Sequence, residues 1–133
     1  MKYLLDTCVI SDFVRGHAHT LDKIKSTEPS NLAISAITHM EIHYGLQRNP
    51  KKAKKIAPVL EALFSTMTIL PFQENDSEVA GMIRAKLFTQ GNPVGPYDIL
   101  IAATAQTYSL CLVTSNTKEF SRVENLSLED WRL

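Results

Sequence analysis

Lys2-Tyr3-Leu4-Leu5-Asp6-Thr7 holds a short apolar run, Tyr3-Leu4-Leu5, that ends at an acid, Asp6. So few apolar residues in a row suit a strand covered on both faces, the condition of a parallel sheet. Comparable runs stand at residues 32–34, 68–71 and 111–114, with a weaker one near 126–128, and the longer intervals between them carry helical spacing. The alternation predicts an α/β fold, a three-layer sandwich whose central, mainly parallel sheet of four to five strands is covered by helices.

Local signals place the helices. Ser35 precedes a helix running to about Gln47, and a basic segment, residues 51–65, forms another with Pro58 as its weak point. Asn75 and Glu78 have capping-box spacing for a helix reaching about Thr89, which Gly91-Asn92-Pro93 then stops. Pro96 suits the first turn of a helix through Tyr108. No repeat or linker-like stretch divides the chain, and 133 residues with 44% hydrophobic content bury one ordinary core, so residues 1–133 are expected to form a single domain.

The formal net charge is zero, which excludes a surface that is basic all over. Local basic patches remain at Lys23 and Lys25 and at Arg48, Lys51, Lys52, Lys54 and Lys55; read alone, such runs are solvated helix faces. No segment has the apolar length of a membrane span and no leader pattern opens the chain, so a cytoplasmic location is expected. Cys8 and Cys111 lie among apolar residues without Cys-x-x-Cys spacing and read as small buried hydrophobes.

Three carboxylates stand where charge is costly. Asp6 ends the first apolar run, Glu41 lies in Ile37-Thr38-His39-Met40-Glu41-Ile42, and Asp98 opens Ile99-Leu100-Ile101-Ala102-Ala103. No Lys or Arg stands in the immediate neighbourhood of any of them, and a buried ionised carboxylate demands a counter-charge. Asp6, Asp98 and Asn116 would each serve equally as helix caps, and Arg48 could pair with Glu41 from two turns on. Three such acids in one small domain are better explained by convergence on a hard divalent cation, magnesium or manganese, which oxygen ligands suit. Asp6 and the segment Thr114-Ser115-Asn116 both follow strands, and in parallel α/β sheets ligands bind beyond the carboxyl ends of strands.

His39 and His43, spaced i, i+4, could ligate one zinc ion. Helical geometry turns Glu41 roughly 160–200° away from both, and His-Met-Glu-Ile-His lacks the His-Glu-x-x-His order, so the histidines are expected to face solvent or a partner chain.

Four segments in order, Leu4-Leu5-Asp6-Thr7, Ile37-Thr38-x-x-Glu41-x-x-Tyr44-Gly45, Gly95-Pro96-Tyr97-Asp98-x-x-Ile101-Ala102-Ala103 and Leu112 to Phe120, resemble PIN-domain nucleases of the VapC toxin type. The resemblance runs to Glu129-Asp130-Trp131. It implies a Mg2+- or Mn2+-dependent endoribonuclease, the toxin of a type II toxin–antitoxin pair, acting on RNA such as tRNA, as a homodimer inhibited in a hetero-oligomer by a VapB-like antitoxin. By matching motif, Asp6 and Asp98 would hold the metal and Glu41 would complete the acidic set. Asn116 would stand where many PIN domains have a fourth acid, which leaves Asn116 or Glu119 to supply that oxygen. Two other functions fit a small α/β fold: a phospho-acceptor receiver, which needs an acid ending a middle strand where this chain has Leu70-Pro71-Phe72, and a binding module without activity.

Overall fold

The computed structural model describes residues 1–133. Five strands, β1 (Tyr3–Leu5), β2 (Leu32–Ser35), β3 (Thr68–Leu70), β4 (Cys111–Val113) and β5 (Leu128–Glu129), form one parallel sheet in the order β3-β2-β1-β4-β5. Successive residues alternate faces. Leu4, Ala33 and Leu112 enter one core, while Leu5, Ile34 and Val113 enter the other. Both faces are thus buried, which is why the strands read as continuous apolar runs.

The first core packs against α5 (Glu74–Gln90) and α6 (Pro96–Thr107), and the second against α1 (Thr7–Arg15), α2 (Ala18–Ser26) and α4 (Pro50–Phe64). Helix α3 (Ala36–Arg48) leaves β2, and a short α7 (Thr117–Phe120) follows β4. Each expected strand is present, with β3 and β4 one residue shorter than the apolar runs and β5 shifted two residues onward. Pro58 does not interrupt α4. Its missing N–H is a cost of about 3 kcal/mol in a helix interior, offset by burial of Leu60 and Leu63 on the inner face.

Two helix signals need correction. The residues that begin α5 are Gln73 and Asp76, not Asn75 and Glu78: Asp76 Oδ2 accepts from the Gln73 N–H at 2.7 Å. Asn75 and Glu78 are exposed, since the spacing pattern fits either pair and burial of Asp76 chooses between them. Arg48 does not pair with Glu41; it donates to Tyr44 Oη at 3.3 Å on the solvent side of α3.

A buried acid outside the expected set fixes the chain end. Asp12, 3% exposed, accepts two bonds from Arg132, Nε to Oδ2 at 2.7 Å and Nη2 to Oδ1 at 2.8 Å, while Arg15 lies 3.5 Å away. The Arg132 guanidinium holds the Asp12 carboxyl below the usual carboxylate range. Breaking a buried pair typically costs 3–5 kcal/mol; with Arg15 still present and Arg132 partly exposed, Arg132→Ala is expected to cost about 2–4 kcal/mol in urea unfolding. A depressed acid stabilises the fold above its unfolded pKa and loses that contribution as pH falls, so the variant should also show a shallower loss of stability on acidification. Equal unfolding midpoints for variant and wild type would reject this role.

Candidate active site

Chain order places β2 and β3 on one side of β1 and β4 and β5 on the other, so the order in which the parallel strands are added reverses at the β1–β4 pair. Beyond the carboxyl ends of these two strands the connections diverge and leave a crevice. Asp6 follows β1 and Thr114 follows β4, and the Thr114 hydroxyl donates to Asp6 Oδ2 at 2.8 Å across the gap.

Asp6 is 5% exposed and heavily bonded. Its Oδ1 accepts from the Thr7 N–H at 2.7 Å, so it does cap α1, and its Oδ2 receives the Cys8 thiol at 3.3 Å as well as Thr114. Cys8 is therefore more than a small hydrophobe. Burial and the Asp6 charge push its thiol up, keeping it an S–H donor, and it accepts in turn from Ser115 N and Oγ at 3.4 Å.

Glu41 joins through Thr7. The Thr7 hydroxyl donates to Glu41 Oε1 at 2.8 Å and lies 3.3 Å from that of Thr38, tying the N-terminus of α1 to the inner side of α3. The histidines point elsewhere: His39 packs against His43 and Phe64, with ring centroids 4.4 Å and 5.8 Å apart.

Asp98 lies in the first turn of α6. Burial raises its pKa to about 7, reinforced by the charge of Asp6, by a shared hydrogen bond with Glu119, and by the charges of Glu119 and Glu41. Every leading influence on Asp98 is unfavourable to its charge, and none comes from a Lys or Arg. Glu119 moves the other way: Oε1 accepts from the Gly95 N–H at 2.8 Å and Oε2 from Asn116 Nδ2 at 2.9 Å, which hold it below the usual range. In the Asp98–Glu119 pair the proton therefore resides on Asp98.

Asn116 occupies the N-cap position of α7 but its side chain makes no capping bond there; it orients Glu119 instead. The residues that sequence reasoning underweighted are Glu119, Thr7 and Thr114. Their signal was present, a hydroxyl or acid within three residues of a strand-end acid or amide, but it is common in loops.

Asp6, Glu41 and Glu119 thus all act on Asp98 around the crevice, and the one cation that shifts any of these acids, Arg122, acts on Glu119 and not on Asp98. No three of them already form a cage around an ion, but the donor set, all oxygen and mutually repulsive, fits a hard divalent cation. A larger depression of about 770 Å3, lined by Lys2, Ile83, Leu87, Leu110 and Val123 among others, contains none of these acids.

The model of the PIN domain matches residues 3–126. This chain belongs to the PIN-domain family. Similar proteins include the "tRNA(fMet)-specific endonuclease VapC" of Shigella flexneri, 34% identical over 98% of both chains, and "Ribonuclease VapC2" of Haemophilus influenzae, 34% identical with the same coverage. Among solved structures, a chain of DNA-bound VapBC from Salmonella typhimurium superposes with a TM-score of 0.90 at 32% identity over 98% of both chains. A chain of a toxin–antitoxin complex from Klebsiella pneumoniae gives 0.73 at 30% identity, covering 94% of this chain and 95% of that one. The PIN fold also disposes of the receiver alternative. Receivers order their strands 2-1-3-4-5, whereas here β1 is central and the edge is β3.

Proposed function

We propose that this PIN domain, acting as one unit over residues 1–133, is a divalent-metal-dependent endoribonuclease and the toxin of a VapBC-like toxin–antitoxin pair. The observation that carries the reading is the convergence of Asp6, Glu41, Asp98 and Glu119 on the β1–β4 crevice with the Asp98 pKa raised and no cation to offset it. Relatives named as VapC ribonucleases and the VapBC complexes support it. Mg2+ is the proposed physiological ion, with Mn2+ able to replace it.

Asp6 and Asp98 would hold the metal. Bound there, the ion would lower the pKa of its water and offset charge that develops on the phosphate. Thr7 fixes one oxygen of Glu41 and leaves the other free to act, while both oxygens of Asp6 are oriented by donors, Oδ1 by the Thr7 N–H and Oδ2 by Thr114 and Cys8, and would meet the metal through their remaining lone pairs. Glu41 orients the attacking water, and Glu119, steadied by Asn116 and Gly95, adds the fourth acid and takes up charge next to Asp98. No histidine reaches the crevice to activate an RNA 2′-hydroxyl, so the expected products carry 5′-phosphate and 3′-hydroxyl ends. The test is cleavage of total cellular RNA by the purified protein with and without Mg2+, followed by mapping of the cut ends. Metal-independent cutting or 2′,3′-cyclic phosphate ends would reject the reading. The name of the Shigella flexneri relative makes tRNA the first substrate to examine.

Asn116→Ala should free Glu119 and lower cleavage by about 10–100-fold, the usual loss when a supporting partner of a metal site is removed. Asn116→Asp should tighten Mg2+ binding measured by calorimetry. If the Ala variant cuts RNA at the wild-type rate, Asn116 does not position Glu119 for the reaction.

A homodimer would set two crevices beside one groove and offset the absence of net positive charge. No helix is long and apolar enough to cross a membrane; the cytoplasmic location is proposed from the toxin reading itself. The VapB-like antitoxin would place an Arg among the carboxylates, where a guanidinium satisfies several oxygens at once. Equimolar antitoxin should then weaken Mg2+ binding and block cleavage together, and an antitoxin that alters neither would refute this mode of inhibition.

A further inference from the structure

A cleft between α1, α3 and α4 opens beside Glu41 and Thr7 and encloses about 260 Å3. That is just below the roughly 300–1,000 Å3 of pockets that enclose drug-sized ligands, too small for a helix and of the right order for one flat group. Its floor is apolar, formed by Ile10, Ile42, Leu46 and Ile56, and its rim carries Arg15 and Lys52. Lys52 is exposed and forms no ion pair. Arg15 is exposed, 3.5 Å from an Asp12 that Arg132 already neutralises, so both cations are available to an incoming anion.

Gly45 stands in the wall of this cleft. It lies within α3, one turn beyond Glu41 and on the same face. A glycine in a helix interior costs about 0.8–1 kcal/mol relative to alanine, yet the fold does not ask for it: a Cβ built there meets nothing within 4 Å. With no side chain, Gly45 leaves the cleft wall bare one turn from Glu41.

We propose that this cleft receives an unpaired nucleobase of the RNA beside the bond to be cut, with Arg15 and Lys52 on the adjoining phosphate. The inference rests on the nuclease reading and adds to it a specificity device. An occupant must be apolar over the floor, anionic at the rim and placed next to a site that hydrolyses phosphodiesters; a nucleotide meets all three demands. A base inside a duplex must first leave its stack at a cost of a few kcal/mol, so the cleft favours loops and single strands. Its aliphatic floor contacts any base face, so the cleft reads the presence of a base more than its identity. The competing occupant is an apolar side chain of a protein partner.

The experiment uses an RNA stem-loop that the wild type cuts in Mg2+, remade with a single abasic position moved one nucleotide at a time through the cleavage region. The wild type should lose at least tenfold in kcat/KM at one position next to the cut, chiefly through KM. Gly45→Leu, which fills the mouth and should melt no lower than wild type, should cut the intact stem-loop at least tenfold more slowly and lose that dependence on the abasic position. Lys52→Gln should lower the slope of log(kcat/KM) against log(salt) by about 0.7, the share of one single-strand phosphate contact. If Gly45→Leu does not fold, Gly45→Ala and Lys52→Gln with the same abasic series decide the matter. Indifference of the wild type to every abasic position, or wild-type cutting by Gly45→Leu, would overturn the inference while leaving the nuclease reading intact. Loss of antitoxin inhibition in Gly45→Leu with cutting unchanged would give the cleft to the protein partner. A wild type that cuts no RNA would remove the nuclease reading and this inference with it.

Discussion

Asp98→Asn is expected to reduce RNA cleavage by at least about 100-fold while raising the melting temperature of the metal-free protein by a few degrees. The two effects have one cause. Asp98 is half-buried beside Asp6, Glu119 and Glu41, and its charge is opposed by burial and by all three neighbours. Asparagine keeps the shape, offers an N–H to Glu119, and removes a charge that the metal-free fold must tolerate. The same charge is half of the proposed metal-binding pair, so its loss should exceed the 10–100-fold typical of an outer supporting residue. Cleavage assays and thermal unfolding in EDTA check both effects. A variant that is inactive and less stable than wild type would mean that Asp98 serves the fold rather than the reaction, and an active variant would remove it from the site.

Magnesium should stabilise the protein by about 2.7 kcal/mol at a concentration one hundred times its Kd, through binding to the native state alone. The effect should depend on pH with a definite sign. Asp98 has its native pKa raised from 3.8 to about 7, so the folded protein binds that proton more tightly than the unfolded chain does. Metal-free stability should therefore be lost as pH rises from about 4 through 7, by an amount on the order of 1–2 kcal/mol after allowance for solvent screening. Metal binding expels the same proton, so Mg2+ should bind more tightly as pH rises through 7 and restore what deprotonation removes. Asp98→Asn should flatten the metal-free pH profile. Unfolding curves between pH 4 and 8, with EDTA or Mg2+, provide the test; a wild-type profile that rises over that range and ignores Mg2+ would contradict the assignment of these acids.

The Asp12–Arg132 pair could not be read in this way from the chain. Asp12 also stands in apolar sequence, Val9-Ile10-Ser11-Asp12-Phe13, but Arg15 one turn on offers an obvious counter-charge, and the partner that binds it bidentately is 120 positions away. The acids of the crevice were more legible because each interrupts apolar sequence without a Lys or Arg in its immediate neighbourhood. Glu119 was not, since it sits among polar residues and gains its meaning from Gly95 and Asn116, one of which comes from a different segment. Helix α5 illustrates the same division: a capping-box spacing was present twice, and only burial of Asp76 selected the pair that is used.

What the sequence determined by itself was the architecture and the chemistry on offer. Short apolar runs separated by helical periods specify a parallel sheet covered on both faces, because burial on two sides leaves a strand no polar face to display. Acids embedded in such runs specify an unpaid electrostatic cost that a divalent cation can relieve. The tertiary structure alone decided which groups meet. Strand order set Thr114 against Asp6, the approach of α1 to α3 gave Glu41 its Thr7 contact, and the placement of α7 over Gly95 delivered Glu119 to Asp98. Electrostatic and hydrogen-bond energies depend on distances of a few ångströms, and those between residues far apart in the chain exist only once the sheet has fixed its order.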